Sequence, residues 1–237
     1  AGEQGIAKRF LELAEIVERP DGFGVRLDAY ELKTPAKKII HTPTAALARL
    51  IAQEWNAQGD EIEPATMPVM RLVCTAMDRV ALDPQATAEA FAAYGMSDLL
   101  FYRAPHPAHL VAQQGAAWDP ILDWARKRFD MSFQSTQSIL PIAQPEVNLQ
   151  RFAQVASGDV FRLTGLAHSA ALMGSAILAL ALDEAHITPE QAFDLAFFDD
   201  LFQIEEWGED EEASDRLDKI KLEINRLMDY LSSLKSA

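Results

Sequence analysis

Between Asp199 and Asp218 the chain reads DDLFQIEEWGEDEEASDRLD, ten carboxylates against one arginine, with Phe202, Ile204, Trp207 and Gly208 set among them. Paired carboxylates are the raw material of general acid and base catalysis, so a small-molecule hydrolase using two acids of this stretch is the alternative reading. That chemistry needs a closed apolar pocket that drives two carboxyl pKa values apart, whereas a crowd of like charges points to solvent. Aromatic side chains in the same run want a surface to cover. The combination predicts a docking face for another protein, with Trp207 as an anchor beside the helix break at Gly208.

Other chemistry is thinly represented. His106 and His109 have a helical spacing, but HPAH brings no nearby carboxylate or thiolate to complete a metal site, and Pro107 is expected to open a helix there. His168 lies in an alanine-rich apolar stretch and reads as a core histidine rather than a base. No G-x-S-x-G, G-x-x-x-x-G-K-[ST] or G-x-G-x-x-G occurs, and the 11 glycines are scattered. The reading is therefore no metal, no cofactor and no nucleotide. Cys74, the one cysteine, sits in the apolar run LVCTAM and is expected to pack rather than react; a lone cysteine also fits a reducing compartment.

Charge narrows the partners. With 36 acidic against 21 basic residues, the formal charge is -15. Phosphate binding runs on Lys and Arg displacing counterions, so nucleic acid is an unfavoured ligand, and anionic membrane surfaces are disfavoured in the same way. A basic protein patch is attracted. Hydrophobic residues at 49% of 237 are ample for a packed core, in one large domain or two small ones. The opening AGEQG shows no secretory signal. Leu166 to Leu182 is the sole candidate membrane segment; it lies at the short limit for a span and reads better as a central buried helix, in which Gly174 and the alanines let neighbours approach.

The elements that position these residues follow from periodicity. Phe10 to Val17 reads as a strand, Asp21-Gly22 as a turn, and Phe23, Val25, Leu27 and Ala29 as one face of a second strand. Lys37 to His41 gives a further short extended piece. A small β-rich unit is thus expected over 1–42, and an α-helical unit over 43–237. Thr42 and Pro43 are expected to cap a helix carrying Leu47, Leu50, Ile51 and Trp55. Further helices are predicted over Pro68 to Ala81, from Asp83-Pro84 to Gly95, over Pro107 to Gln114 and Trp118 to Arg128 with a split at Gly115, and over Glu146 to Ala156. Asp159 to Leu182 and Pro189 to about Trp207 follow. Phe129 to Pro145 loses its period and reads as a connector. Leu217, Ile220, Ile224, Leu227, Leu231 and Leu234 form one seam, expected to dock on the protein's own body rather than on a second copy; a monomer is the reading.

Several segments, taken in order, resemble the Atp12 family of assembly chaperones for the F1 sector of ATP synthase: KTPAKK at Lys33 to Lys38, LARLIAQEWNAQ at Leu47 to Gln58, IEPATMPVMRLVCTAMDRV at Ile62 to Val80, SDLLFYRA at Ser97 to Ala104, Gln114 with WDPILDWA at Trp118 to Ala125, and FQIEEWGEDEEASD at Phe202 to Asp215. The resemblance implies an α+β protein with a β-rich N-terminal domain and a larger helical C-terminal one. It implies a non-enzymatic chaperone that holds the unassembled F1 α subunit until the β subunit takes it over. The family's W-G-x-x-E pattern falls on Trp207, Gly208 and Glu211, followed by Asp215, so the resemblance assigns partner binding to Glu211 first and then Asp215.

Phe202, Glu205 and Glu206 complete the expected contact face, while Trp55, Trp118, Trp124 and Asp78 are expected to be structural. Two departures from the family pattern stand out. Leu27-Asp28-Ala29-Tyr30 replaces the usual L-D-G-R, and Ser214 stands where relatives often carry histidine. A bacterial cytoplasm, or the mitochondrial matrix for a eukaryotic source, is the expected location.

Overall fold

A computed structural model describes residues 13–208 and 211–235. The fold is α+β, with a three-stranded antiparallel sheet towards the N-terminus followed by ten α-helices among the described residues. The chain parts into two compact units, residues 1–82 with 229–237, and residues 83–228. No helix of the described residues is long and apolar enough to cross a membrane.

In the first unit, β1 (Ala14–Arg19) and β2 (Gly22–Leu27) form the expected hairpin, with β3 (Tyr30–Glu31) added to the free edge of β2. Residues 10–12 of the expected first strand lie outside the described residues. Gly22 is required at the turn: its φ is +148°, and a Cβ there would lie 2.5 Å from the Thr42 carbonyl. That closeness reflects a backbone pair between Phe23 and Thr42, with N–H to O distances of 2.9 and 2.8 Å. Thr42 is therefore held in an extended bridge and does not cap a helix. The cap is Thr44, whose hydroxyl accepts from Leu47 N–H at 3.1 Å, and α1 runs from there (Ala45–Asn56).

At its far end Asn56 mimics a strand, accepting from Ala14 N–H at 2.8 Å and donating to Ala14 O at 3.0 Å. Glu54 in turn accepts from Val69 and Met70 N–H, both at 2.8 Å, and so caps α2 (Pro68–Asp78), which has no cap of its own. Asp78 binds the KTPAKK loop through the Thr34 hydroxyl at 2.8 Å and Ala36 N–H at 3.0 Å, while Lys38 Nζ donates to Met77 O at 2.6 Å. Cys74 is half-buried, and burial followed by the Asp78 charge pushes its thiol up to about 11, which keeps it protonated and unreactive.

The second unit begins with α3 (Pro84–Met96), capped by Asp83 as expected. Then α4 (Ala108–Phe129) runs unbroken through Gly115, where a split was expected, and on through Pro120. Leu110, Gln114, Trp118, Ile121, Leu122 and Ala125 share one buried face along its length, and that packing outweighs the roughly 1 kcal/mol a helical glycine costs. Residues 130–145 form the expected connector, anchored by buried Met131 and Phe133. Next come α5 (Glu146–Ala156), α6 (Val160–Met173) and α7 (Ala176–Asp183).

The segment expected as one central helix is thus two. Gly174 ends α6 with a left-handed φ of +66°, Ser175 caps α7, and all eight residues of α7 are buried. Gly174 is present for this backbone angle and not for close approach, because an added Cβ would meet only Leu99 Cβ, at 4.0 Å. Asp98, fully buried, accepts from Leu100 N–H at 3.1 Å and Ile177 N–H at 3.0 Å, tying the turn at Leu99–Phe101 to the start of α7.

A capping box at Thr188 and Gln191 opens α8 (Pro189–Ala196) as expected; the helix then breaks at Phe197 before α9 (Phe198–Trp207). Last is α10 (Glu211–Ser233), with Leu217, Ile224, Leu227 and Leu231 of the seam buried, together with Tyr230.

Candidate protein-docking face

The acidic run occupies α9, Gly208 and the first turns of α10, with Glu209 and Asp210 outside the described residues. Gly208 ends α9 at φ +91° with its N–H returned to Ile204 O at 2.9 Å, so the bend beside Trp207 is a built helix terminus. Trp207 is 79% exposed, an unusual state for so large an apolar ring. Glu205, Glu206, Glu211 and Asp215 are also exposed, while Phe202 is half-buried and lies 5.4 Å from the His109 ring. No residue of α9 is buried.

Below this rim the helix is tethered. Gln114, buried in α4, takes Ala104 N–H on its carbonyl at 2.7 Å and gives its amide to Asp199 at 2.8 Å. Trp118 is buried with Nε1 donating to Leu195 O at 3.0 Å, its ring edge-on to Phe198 at 5.8 Å and its face under the Arg103 guanidinium at 4.9 Å. Arg103 itself reaches Gln114 O and Asp119, at 2.8 and 2.7 Å. Arg216, the sole cation of the acidic run, pairs with Asp200 at 2.6 Å and so joins α10 to α9.

Between α4 and α9 lies an open groove of about 550 Å³. From α9 it receives Phe198, Leu201, Phe202 and Glu205, the i, i+3, i+4 and i+7 face of one helix. Gln113, Ala116 and Ala117 of α4 form the opposite wall, and Asp194 of α8 closes one side. Desolvation, with a further push from Glu190, raises the Asp194 carboxyl, although Lys221 opposes the shift. The arrangement can hold apolar side chains with acids at the margin. Its acids, Asp194 and Glu205, stand exposed at an open surface. Among the described residues no cluster of His, Cys, Asp and Glu is grouped to hold a metal.

The other expected residues fall elsewhere. Trp118 is core; Trp124 is half-buried, stacked on His186 at 4.5 Å and edge-on to Phe129 at 5.4 Å; Trp55 is half-buried with its Nε1 enclosed and without an acceptor among the described residues. His168 is partly exposed and meets Glu223 of α10 at 2.6 Å rather than lying in the core. The structural parts of Asp199, Leu195 and Asp194 were not visible in the sequence, because each depends on which α4 residue comes to face it.

The α+β chain thus carries, in its helical unit, an open groove edged by aromatic and acidic side chains. A family model described as ATP12 chaperone protein matches residues 8–126. The crystal structure of Atp12 from Paracoccus denitrificans is similar at 37% identity and a TM-score of 0.90, covering 96% of this chain and 98% of that one. An aspartate-to-lysine variant of the Paracoccus protein gives 35% identity at the same TM-score and the same coverage. A chaperone candidate from Agrobacterium tumefaciens gives 40% identity and a TM-score of 0.91 over 97% of this chain and 87% of that one. The chain belongs to the ATP12 chaperone family. The family match ends within α4, so the candidate contact residues of α9 and α10 lie beyond it.

Proposed function

We propose that this protein is a non-enzymatic assembly chaperone that binds the unassembled α subunit of F1-ATPase, shields its apolar interface and passes it to the β subunit, in the bacterial cytoplasm or, for a eukaryotic source, the mitochondrial matrix. One observation carries the reading: Trp207 stands 79% exposed at the end of a helix whose neighbouring Glu205 and Glu206 have no basic partner among the described residues. Unpaired acids attract and orient a basic client surface, and the aromatic ring with the adjoining apolar groove supplies burial. Contact residues are assigned to Glu211, Asp215, Trp207, Gly208, Glu205, Glu206 and Phe202. Release comes from competition by the β subunit, which buries the same client surface more extensively.

The test is light scattering of purified F1 α subunit diluted from denaturant, with and without this protein. Wild-type protein suppresses aggregation, and addition of β subunit restores α to a β-bound complex. Glu211→Lys and Trp207→Ala lose suppression while keeping the wild-type melting temperature. Equal aggregation with and without the wild-type protein overturns the proposal.

A further inference from the structure

The groove between α4 and α9 has a composition that specifies its occupant. Its α9 wall is a helical face about two turns long, on the order of 10 Å, carrying Phe198 and Phe202, and beside it the α4 wall from Gln113 to Ala117 is little over one turn, with the small residues Ala116 and Ala117. Such a trough is shaped for one more helix, because alanines allow close approach and the two rings provide apolar contact.

Charge decides which helix. Asp194 and Glu205 stand at the margins, and α9 carries no cation. Both acids are exposed, and an incoming cation adds to the pull that Lys221 already exerts on Asp194.

We infer that this groove binds a cationic amphipathic helical segment of the client, about two turns long, with its apolar face between Phe202 and Ala116 and a Lys or Arg at the Asp194 and Glu205 margins. The inference rests on the proposed chaperone reading and narrows it from a face to a seat.

The experiment uses the full chain, with fluorescence anisotropy of a labelled amphipathic Leu/Lys helical peptide, a Leu/Glu peptide of the same pattern, and a Leu/Lys scramble that places its leucines all round. Wild type is expected to bind the Leu/Lys amphipath at least about tenfold more tightly than either control, with affinity falling as salt rises. Ala116→Trp and Gln113→Trp, both at exposed positions, fill the trough; each abolishes peptide binding and leaves the melting temperature unchanged. Asp194→Lys with Glu205→Lys reverses the preference to the Leu/Glu peptide. The same variants are then assayed with the F1 α subunit. Loss of α binding in Ala116→Trp supports the seat. Wild-type α binding by both filled variants, or equal binding of all three peptides, overturns it and leaves the chaperone reading standing. Peptide binding that is specific while the α subunit fails to bind wild type supports the seat and removes the α subunit as client.

Discussion

Gln114 donates its side-chain amide to the Asp199 carboxylate at 2.8 Å while its carbonyl accepts Ala104 N–H at 2.7 Å. One buried amide thereby fixes both the chain entering α4 and the root of the acidic helix α9. The candidate docking face is acidic at its exposed end and hydrogen-bonded at its base, so its geometry is set by the interior of the helical unit.

Replacing that amide tests the arrangement. Gln114→Leu leaves a partly buried backbone N–H and the exposed Asp199 carboxylate without their partner, and is expected to lower stability by about 1 kcal/mol in urea titration. Gln114→Glu sets a second carboxylate against Asp199 and is expected to cost at least as much at neutral pH. A variant as stable as wild type would show that Asp199 and Ala104 find other partners.

The two tryptophans of α1 and α4 should separate by their ring nitrogens. Trp118 Nε1 donates to Leu195 O, whereas the enclosed Trp55 Nε1 has no acceptor among the described residues. Trp118→Phe therefore loses a hydrogen bond and orphans a carbonyl, and Trp55→Phe loses neither. The expected difference is about 1 kcal/mol or more in the stability loss, read from paired denaturation curves.

Asp98 gives the protein a pH signature. Burial raises its carboxyl from 3.8 to about 6, against the opposing pull of the N–H groups of Ile177, Leu100 and Ala176 and the Ser175 hydroxyl. The native state then binds the proton more tightly than the unfolded chain. This group's contribution is complete below about pH 4 and declines as pH rises to about 6. Asp98→Asn should flatten the stability profile over that window in a pH series of thermal melts, and an identical profile for both proteins would refute the assignment.

Asp78 should matter chiefly to the KTPAKK loop. It accepts from the Thr34 hydroxyl and the Ala36 N–H, so Asp78→Ala frees the segment between them. Hydrogen exchange at Ala36 and Lys38 is expected to speed up markedly, with a stability cost of about 1–3 kcal/mol and no effect on client binding through α9.

Sequence signals survived folding to different degrees within each of the two units. The hairpin, α2, α3, α5, the Thr188 box and the α10 seam rest on signals contained within one element, such as alternation, a capping side chain or a three-four spacing, and these appear where the pattern put them. Signals that compete with packing were overruled. Gly115 suggested a break, yet six buried residues on one face hold α4 together. Thr42 looked like a cap until its backbone was taken by Phe23. Gly174 looked like a packing residue and serves a left-handed turn.

The same division runs through the candidate site. Composition alone determined that residues 199–218 would be anionic and aromatic, because ten carboxylates cannot be neutralised by one arginine and must remain in water. Only the tertiary structure decided that a trough would open beside them. A groove needs two walls, and one wall, Gln113, Ala116 and Ala117, lies about eighty residues away in a helix whose local signals pointed to a break; its position facing Phe198 and Phe202 is set by the buried contacts of Gln114 and Trp118, which no spacing along the chain records.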